Sequence, residues 1–226
     1  MKYIIPSLLG LAILMFIGFV ILSFNNYKKR FNVKYNPLNM FPYELNFEAS
    51  FKENLLGNIF LFATSLIGIV FHVLIIKSAS SGFIIILAIS GILASVLLSI
   101  VPLLPLSYLK THLIVDIALF ISVLLSIVSS ALCALRYYQV WLNSEGNPSL
   151  FLMVFYFVFA GIYLLFLFNP KIALWAKLEQ VVNSDGTSYY KRPKFFPLAY
   201  TEWVTYIFYF LSLIFVLVNY LAEIIK

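Results

Sequence analysis

Residues 54–76 read NLLGNIFLFATSLIGIVFHVLII, and residues 82–103 read GFIIILAISGILASVLLSIVPL. Neither stretch holds an Asp, Glu, Lys or Arg, and only Lys77–Ser81 separates them. A helix needs roughly 20 apolar residues to cross about 30 Å of hydrocarbon at ~1.5 Å per residue. Both runs are long enough. Neither alternates apolar with polar over about ten residues, as a barrel strand would. Backbone groups in lipid must find their hydrogen bonds inside the protein, and a helix does so within one segment. The pair therefore reads as two antiparallel membrane-spanning helices.

Working outward, four more segments have the same character: Tyr3–Ser23, His112–Leu135, Leu150–Phe168 and Trp203–Ile224. The expected fold is all-α, a polytopic membrane protein with a bundle of six transmembrane helices forming one domain over residues 1–226. Composition agrees. Of 226 residues, 63% are hydrophobic and 11% charged, with a mean hydropathy of +1.00, against about 25% charged in soluble domains. A small fold in water could not hide that much apolar surface. The first segment follows Lys2 like a signal peptide, but its apolar run is too long. No small-x-small cleavage site lies between that run and Lys28-Lys29-Arg30, so it reads as a retained first helix. The single cysteine, Cys133, excludes an internal disulfide and reads as a small packing residue.

The connections Phe24–Glu53 and Asn169–Glu202 are long, Lys77–Ser81 and Leu104–Thr111 short, and Arg136–Ser149, with the turn pair Asn147-Pro148, intermediate. Short connections predict that helices two, three and four pack in sequence. Gly91, Ser95 and Ser99 on helix three, and Ala118, Ser122, Ser126 and Ser130 on helix four, recur every four residues. Such small-residue stripes let backbones approach in lipid, and these predict that helices three and four meet along them. In the last long loop, Pro170–Val182 reads either as a short amphipathic helix at the headgroups or as an ordered loop with Trp175 as an interfacial anchor.

Topology sorts the ionisable residues. The first, third and fifth connections share one side of the membrane, so Asn36–Phe47, His112, Asp116 and Glu202 lie toward one face, and His72 and Arg136 toward the other. His112 and Asp116 sit one turn apart on one helical face. Charges within a membrane are costly and often functional. The candidate ligand or lipid-headgroup site is therefore Glu44, His112, Asp116, Glu202 and Trp203. No catalytic residue is assigned. The sequence has no H-E-x-x-H, P-loop or G-x-S-x-G. Two histidines near opposite faces do not suit a His-rich zinc hydrolase, and no metal or cofactor is expected. His72 reads as a packed or interfacial histidine.

Three short motifs carry a resemblance: Asn36-Pro37-Leu38-Asn39-Met40-Phe41-Pro42-Tyr43-Glu44 in the first loop, Thr111-His112-Leu113-Ile114-Val115-Asp116-Ile117-Ala118 opening helix four, and Thr201-Glu202-Trp203 opening helix six. With Trp175-Ala176-Lys177-Leu178-Glu179 before the last helix, the chain resembles the six-span damage-regulated autophagy modulators (DRAM) and their fungal Sfk and GPI-remodelling FRAG relatives. It differs from them in Tyr43 between proline and glutamate, in the displacement of Asp116 from His112, and in Thr201 where the family has cysteine. Uncharacterised six-helix membrane proteins of bacteria and archaea share the layout. The resemblance implies a non-enzymatic regulator of membrane lipid organisation, trafficking or autophagy. A small transporter or channel, and a lipid-modifying enzyme using His112 with Asp116 or Glu202, are the alternatives.

Net charge is +6. Lys28, Lys29, Arg30, Lys34, Lys52, Lys110, Lys171, Lys177, Lys191, Arg192 and Lys194 lie on the side of the long loops; Lys2, Lys77, Arg136 and Lys226 lie opposite. Beside hydrophobic spans, the expected partners are membrane lipids, with anionic headgroups at the basic loops, and not nucleic acid. The basic bias places the long-loop side in the cytoplasm. The resemblance implies cytosolic termini and hence the opposite orientation. Both orientations stay open.

Overall fold

The computed structural model describes residues 3–46, 52–78, 82–104, 108–141, 149–170, 180–182, 188–190 and 193–224. Six long helices dominate: α1 (Ile4–Phe31), α2 (Leu55–Ser78), α3 (Gly82–Ile100), α4 (Leu109–Trp141), α5 (Ser149–Leu167) and α6 (Pro197–Ile224). Two short 3-10 turns, Pro42–Leu45 and Val101–Leu103, lie in the first and third connections. Gln180–Val182 (β1) and Ser188–Tyr190 (β2) pair as a small antiparallel hairpin. The chain is an all-α polytopic membrane bundle. Five helices are long and apolar enough to cross a membrane, and α5, with 19 residues, is a shorter charge-free helix.

Outward-facing Leu14, Ile21, Leu66, Ile86, Ile89, Ile114 and Leu165 are all exposed. In water this would be a large aggregation surface; in lipid it is the solvent-matched exterior. Neighbouring helices pack in chain order from α1 through α5, and α6 inserts against α1, α3, α4 and α5. It is the central post of the bundle. Tyr206, Tyr209 and Leu213 on it are fully buried. Tyr156 of α5 stacks on Phe215 of α6 with ring centroids 4.2 Å apart, and Tyr163 on Phe208 at 4.6 Å.

Several helices run past the ends expected from hydropathy. α1 continues from Ser23 to Phe31, α4 occupies Leu109–Trp141, and α6 begins at Pro197. Apolar content marks only the stretch inside hydrocarbon. A helix persists into the headgroups because its backbone bonds are already internal there. Lys28, Lys29 and Arg30 occupy the last turn of α1, where cations offset the C-terminal dipole. Asn32, at φ 53°, closes that helix in the left-handed conformation that asparagine tolerates. Pro197 starts α6, where its missing N–H costs nothing.

The small-residue stripe on helix three faces differently from the expectation. α3 and α4 do pack together, but Gly91, Ser95 and Ser99 look toward α2 and α6. Ser65 of α2 donates to the Ser95 carbonyl at 2.6 Å, Ser95 Oγ and Tyr209 OH of α6 are 2.8 Å apart, and Ser99 donates to Ser65 Oγ at 3.4 Å. Gly91 lies so close to the His72 ring that a Cβ there would collide with it. On helix four the Ser130 carbonyl accepts from Asn219 of α6 at 2.9 Å. The Ser95 hydroxyl thus reaches α6 and the Ser65 hydroxyl reaches α3, whereas Ser130 Oγ bonds within α4 and offers only its carbonyl to α6.

For the amphipathic segment expected over Pro170–Val182, residues 171–179, including Trp175, lie outside the described residues, and Gln180–Val182 is strand rather than helix. Asn147-Pro148 also lies outside them.

Candidate functional site

His112 and Asp116 lie near the start of α4, and Glu202 in the second turn of α6. Their side chains meet. His112 Nε2 lies 3.2 Å from Asp116 Oδ2 and 3.4 Å from Glu202 Oε1. The side chains are 0%, 1% and 0% exposed, respectively. The other imidazole nitrogen, Nδ1, is 2.6 Å from the Leu104 carbonyl. A carbonyl only accepts, so Nδ1 carries the proton and donates. Leu104 is in position because the 3-10 turn Val101–Leu103, with Pro102 inside it, breaks α3 and leaves Leu104 extended. Nε2 therefore faces two carboxylates with its tautomer fixed from behind. Asp116 Oδ1, Glu202 Oε2 and the hydroxyl of Tyr206, one turn beyond Glu202, have no hydrogen-bond partner among the described residues.

A roof covers this cluster. The ring of Phe41 stands edge-on to His112 at 6.2 Å and that of Tyr43 at 5.5 Å. Phe41, Tyr43, Phe196, Leu198 and Ala199 are buried together, with Leu113 packed against them. The roof segment folds around its own turn. Glu44 Oε1 accepts from the Phe41 N–H at 2.9 Å, and the Glu44 N–H donates back to the Phe41 carbonyl at 3.0 Å. Glu44 thus caps the Pro42–Leu45 turn.

Trp203 clasps the same segment. Its indole N–H lies 3.1 Å from both Tyr35 OH and the Met40 carbonyl. Tyr35 in turn donates to the Phe41 carbonyl at 2.7 Å. Burial pushes the Tyr35 phenol well above its ordinary pKa, which keeps it a donor. Phe196 N–H also donates to the Leu38 carbonyl at 2.8 Å. The five candidate residues therefore divide in two: His112, Asp116 and Glu202 form the buried cluster, whereas Glu44 and Trp203 hold its roof.

Sequence reasoning missed Tyr35 and Tyr206, and an asparagine layer beside the roof. Asn46 Nδ2 donates to the Pro102 carbonyl at 3.0 Å, while Asn54 and Asn58 both donate to Asn46 Oδ1 at 3.1 Å. Asn54 also lies 3.1 Å from Ser23 Oγ. The layer ties α1, α2, the roof and the end of α3 together. Its signal in the sequence is Asn54 and Asn58 at spacing four, where an apolar run opens.

At the same face, Asn26, Tyr27, Lys29, Arg30, Phe31, Leu45, Glu53 and Asn54 line a cleft of about 220 Å³. Arg30 pairs with Glu53 on its wall. At ~1.5 Å per residue the 28-residue α1 is about 42 Å long, more than a hydrocarbon core of about 30 Å. Its polar C-terminal end, and with it the cleft, therefore reaches the headgroup layer. His72, expected to be packed or interfacial, is fully buried with Nδ1 2.7 Å from the Gly68 carbonyl. Arg136 lies within α4. No protein-family model matches the chain, and no curated protein or solved structure matches it significantly.

Proposed function

We propose that this is a non-enzymatic integral membrane protein that holds anionic lipid headgroups at its long-loop face and thereby acts on the organisation of the surrounding lipid. The observation that supports this best is the cleft at the end of α1, where Lys29 and Arg30 stand beside Tyr27 and Phe31 at headgroup depth. A phosphate is met there by Lys29 and by Arg30, whose guanidinium it would share with Glu53, and an acyl chain by aromatic and aliphatic side chains. Exposed Lys28, Lys34, Lys52, Lys110 and Lys194 extend the same charge across the face. A role in membrane lipid organisation, trafficking or autophagy is what the motif resemblance implies for such a protein.

The state of the His112 cluster favours this reading over catalysis. The rings of Phe41 and Tyr43 stand edge-on beside His112, and the three polar side chains are sealed from solvent. They act in the reading as the support on which the face is built.

Thermal unfolding of the purified protein in neutral detergent, with added phosphatidylserine or phosphatidylcholine, tests the proposal. Phosphatidylserine is expected to raise the midpoint by several degrees more than phosphatidylcholine. The Lys29→Ala/Arg30→Ala double variant should lose most of that difference. Equal stabilisation by the two lipids would reject the reading.

A further inference from the structure

We infer that His112, Asp116 and Glu202 bind a divalent transition-metal ion of the zinc or manganese type, which pins α4 to α6 under the roof. This inference stands apart from the headgroup reading, because the ion lies inside the bundle and the cleft lies at its rim.

Charge balance gives the first argument. Two carboxylates approach each other with essentially no water access; one ligand atom from each of the three residues lies within 4.8 Å of the other two. With both carboxylates ionised, a protonated histidine alone would leave one net negative charge in a low-dielectric region, which has to be met by a proton kept on one carboxyl or by a further cation. A divalent ion with a neutral imidazole brings the site to zero.

Distance gives the second. An imidazolium hydrogen-bonded to a carboxylate sits at about 2.7–2.9 Å. Two ligand atoms on a tetrahedral ion, each about 2.0–2.2 Å from it, stand roughly 3.3–3.6 Å apart. The observed separations from Nε2, 3.2 and 3.4 Å, are long for charge-assisted hydrogen bonds and close to those of atoms sharing an ion.

The third argument is orientation. Nε2 is presented as a lone pair because Nδ1–H is committed to the Leu104 carbonyl at 2.6 Å. Metal-binding histidines are held in this way by an acceptor on the far nitrogen. Asp116 Oδ1 and Glu202 Oε2, both on side chains at least nine-tenths buried, have no hydrogen-bond partner among the described residues. They leave each carboxylate able to turn either oxygen to the ion. One nitrogen and two carboxylates suit zinc or manganese better than a soft ion such as Cu(I). Tyr206 OH, one turn beyond Glu202, is likewise buried and without a partner among the described residues.

The test uses the full chain, expressed with zinc and manganese in the medium and purified on a tag that binds no metal. Elemental analysis should find about one equivalent of zinc or manganese per chain. Chelator treatment should lower the thermal midpoint, and adding back the same ion should restore it. Asp116→Asn should reduce bound metal at least tenfold and remove the chelator's effect on the midpoint. If Asp116→Asn fails to fold, Glu202→Gln serves the same comparison. Less than about a tenth of an equivalent of metal in the folded wild-type protein, with no shift on adding zinc or manganese after chelation, would overturn the inference. So would a wild-type midpoint that responds to chelator no differently from either folded variant. Loss of the phosphatidylserine effect with metal content intact would reject the headgroup reading and leave this one standing.

Discussion

Nε2 of His112 and Oε1 of Glu202 stand 3.4 Å apart, although 90 residues separate them along the chain. The contact joins the start of α4 to the start of α6, and neither side chain is exposed. Asp116 shares it from the turn below His112. In the metal-free protein, removing the histidine leaves two buried carboxylates facing each other. Breaking a buried pair from one side costs about 3–5 kcal/mol, because the remaining charge stays uncompensated.

His112→Ala should therefore lower stability by roughly that amount, about 3–5 kcal/mol. Adding Glu202→Ala to His112→Ala should recover part of the loss, since the second change removes a charge that the first left stranded. A double-mutant cycle on reversible unfolding in detergent measures the coupling. Strictly additive costs would mean that the two residues do not act on each other.

The roof depends on one donor shared between two acceptors. Trp203→Phe keeps ring contact with Phe24, now 5.6 Å away edge-on, but removes the N–H that meets Tyr35 OH and the Met40 carbonyl. The expected cost is about 1–3 kcal/mol, the usual range for a lost buried hydrogen bond. It should be local. Hydrogen exchange at residues 35–46 should speed up while exchange along the middle of α6 stays as in the wild type. Uniform acceleration along both would locate the role of Trp203 in the bundle core instead.

How much of this was legible in the sequence depends on the range of the interaction. The spans were legible because about 20 apolar residues in a row have few alternatives. The shared face of His112, Asp116 and Glu202 followed from parity: odd-numbered connections lie on one side. The four-residue step from His112 to Asp116 placed both on one helical face. Parity says nothing about contact, so the clasp between Trp203 and Tyr35, 168 residues apart, could not be read. Nor could the Leu104 carbonyl behind His112, which depends on how a 3-10 turn ends α3. The small-residue stripe of helix three was visible, but spacing does not name the partner, and α2 and α6 took the face assigned to α4. Counting histidines also directed attention away from a set with one histidine and two carboxylates.

At Gly91, α3 packs directly against the His72 ring of α2. A methyl group there would meet the imidazole of His72, which is itself fully buried. Overpacking of this kind costs about 1–3 kcal/mol. Gly91→Ala should destabilise by that amount, and Gly91→Ala combined with His72→Ala should cost less than the two single changes added together. Thermal unfolding of the four proteins checks it. A Gly91→Ala midpoint equal to wild type would mean that the helices separate without penalty.

Tyr35 gives the roof a pH dependence with a definite sign. Burial pushes its phenol well above the ordinary value near 10. Above about pH 10 the opened form releases a proton that the closed form retains. The stability it contributes is therefore fully present below about pH 10 and declines as pH rises toward the closed-state pKa, by at most about 1.4 kcal/mol per pH unit. Opening of residues 35–46, followed by limited proteolysis or hydrogen exchange corrected for intrinsic rates, should stay level from pH 7 to about 9 and rise above about 10. Tyr35→Phe retains the ring that packs 4.6 Å from Phe24 but loses the hydroxyl. It should open more readily at neutral pH and show no added alkaline rise. An equal alkaline rise in both proteins would assign the titration to a different group.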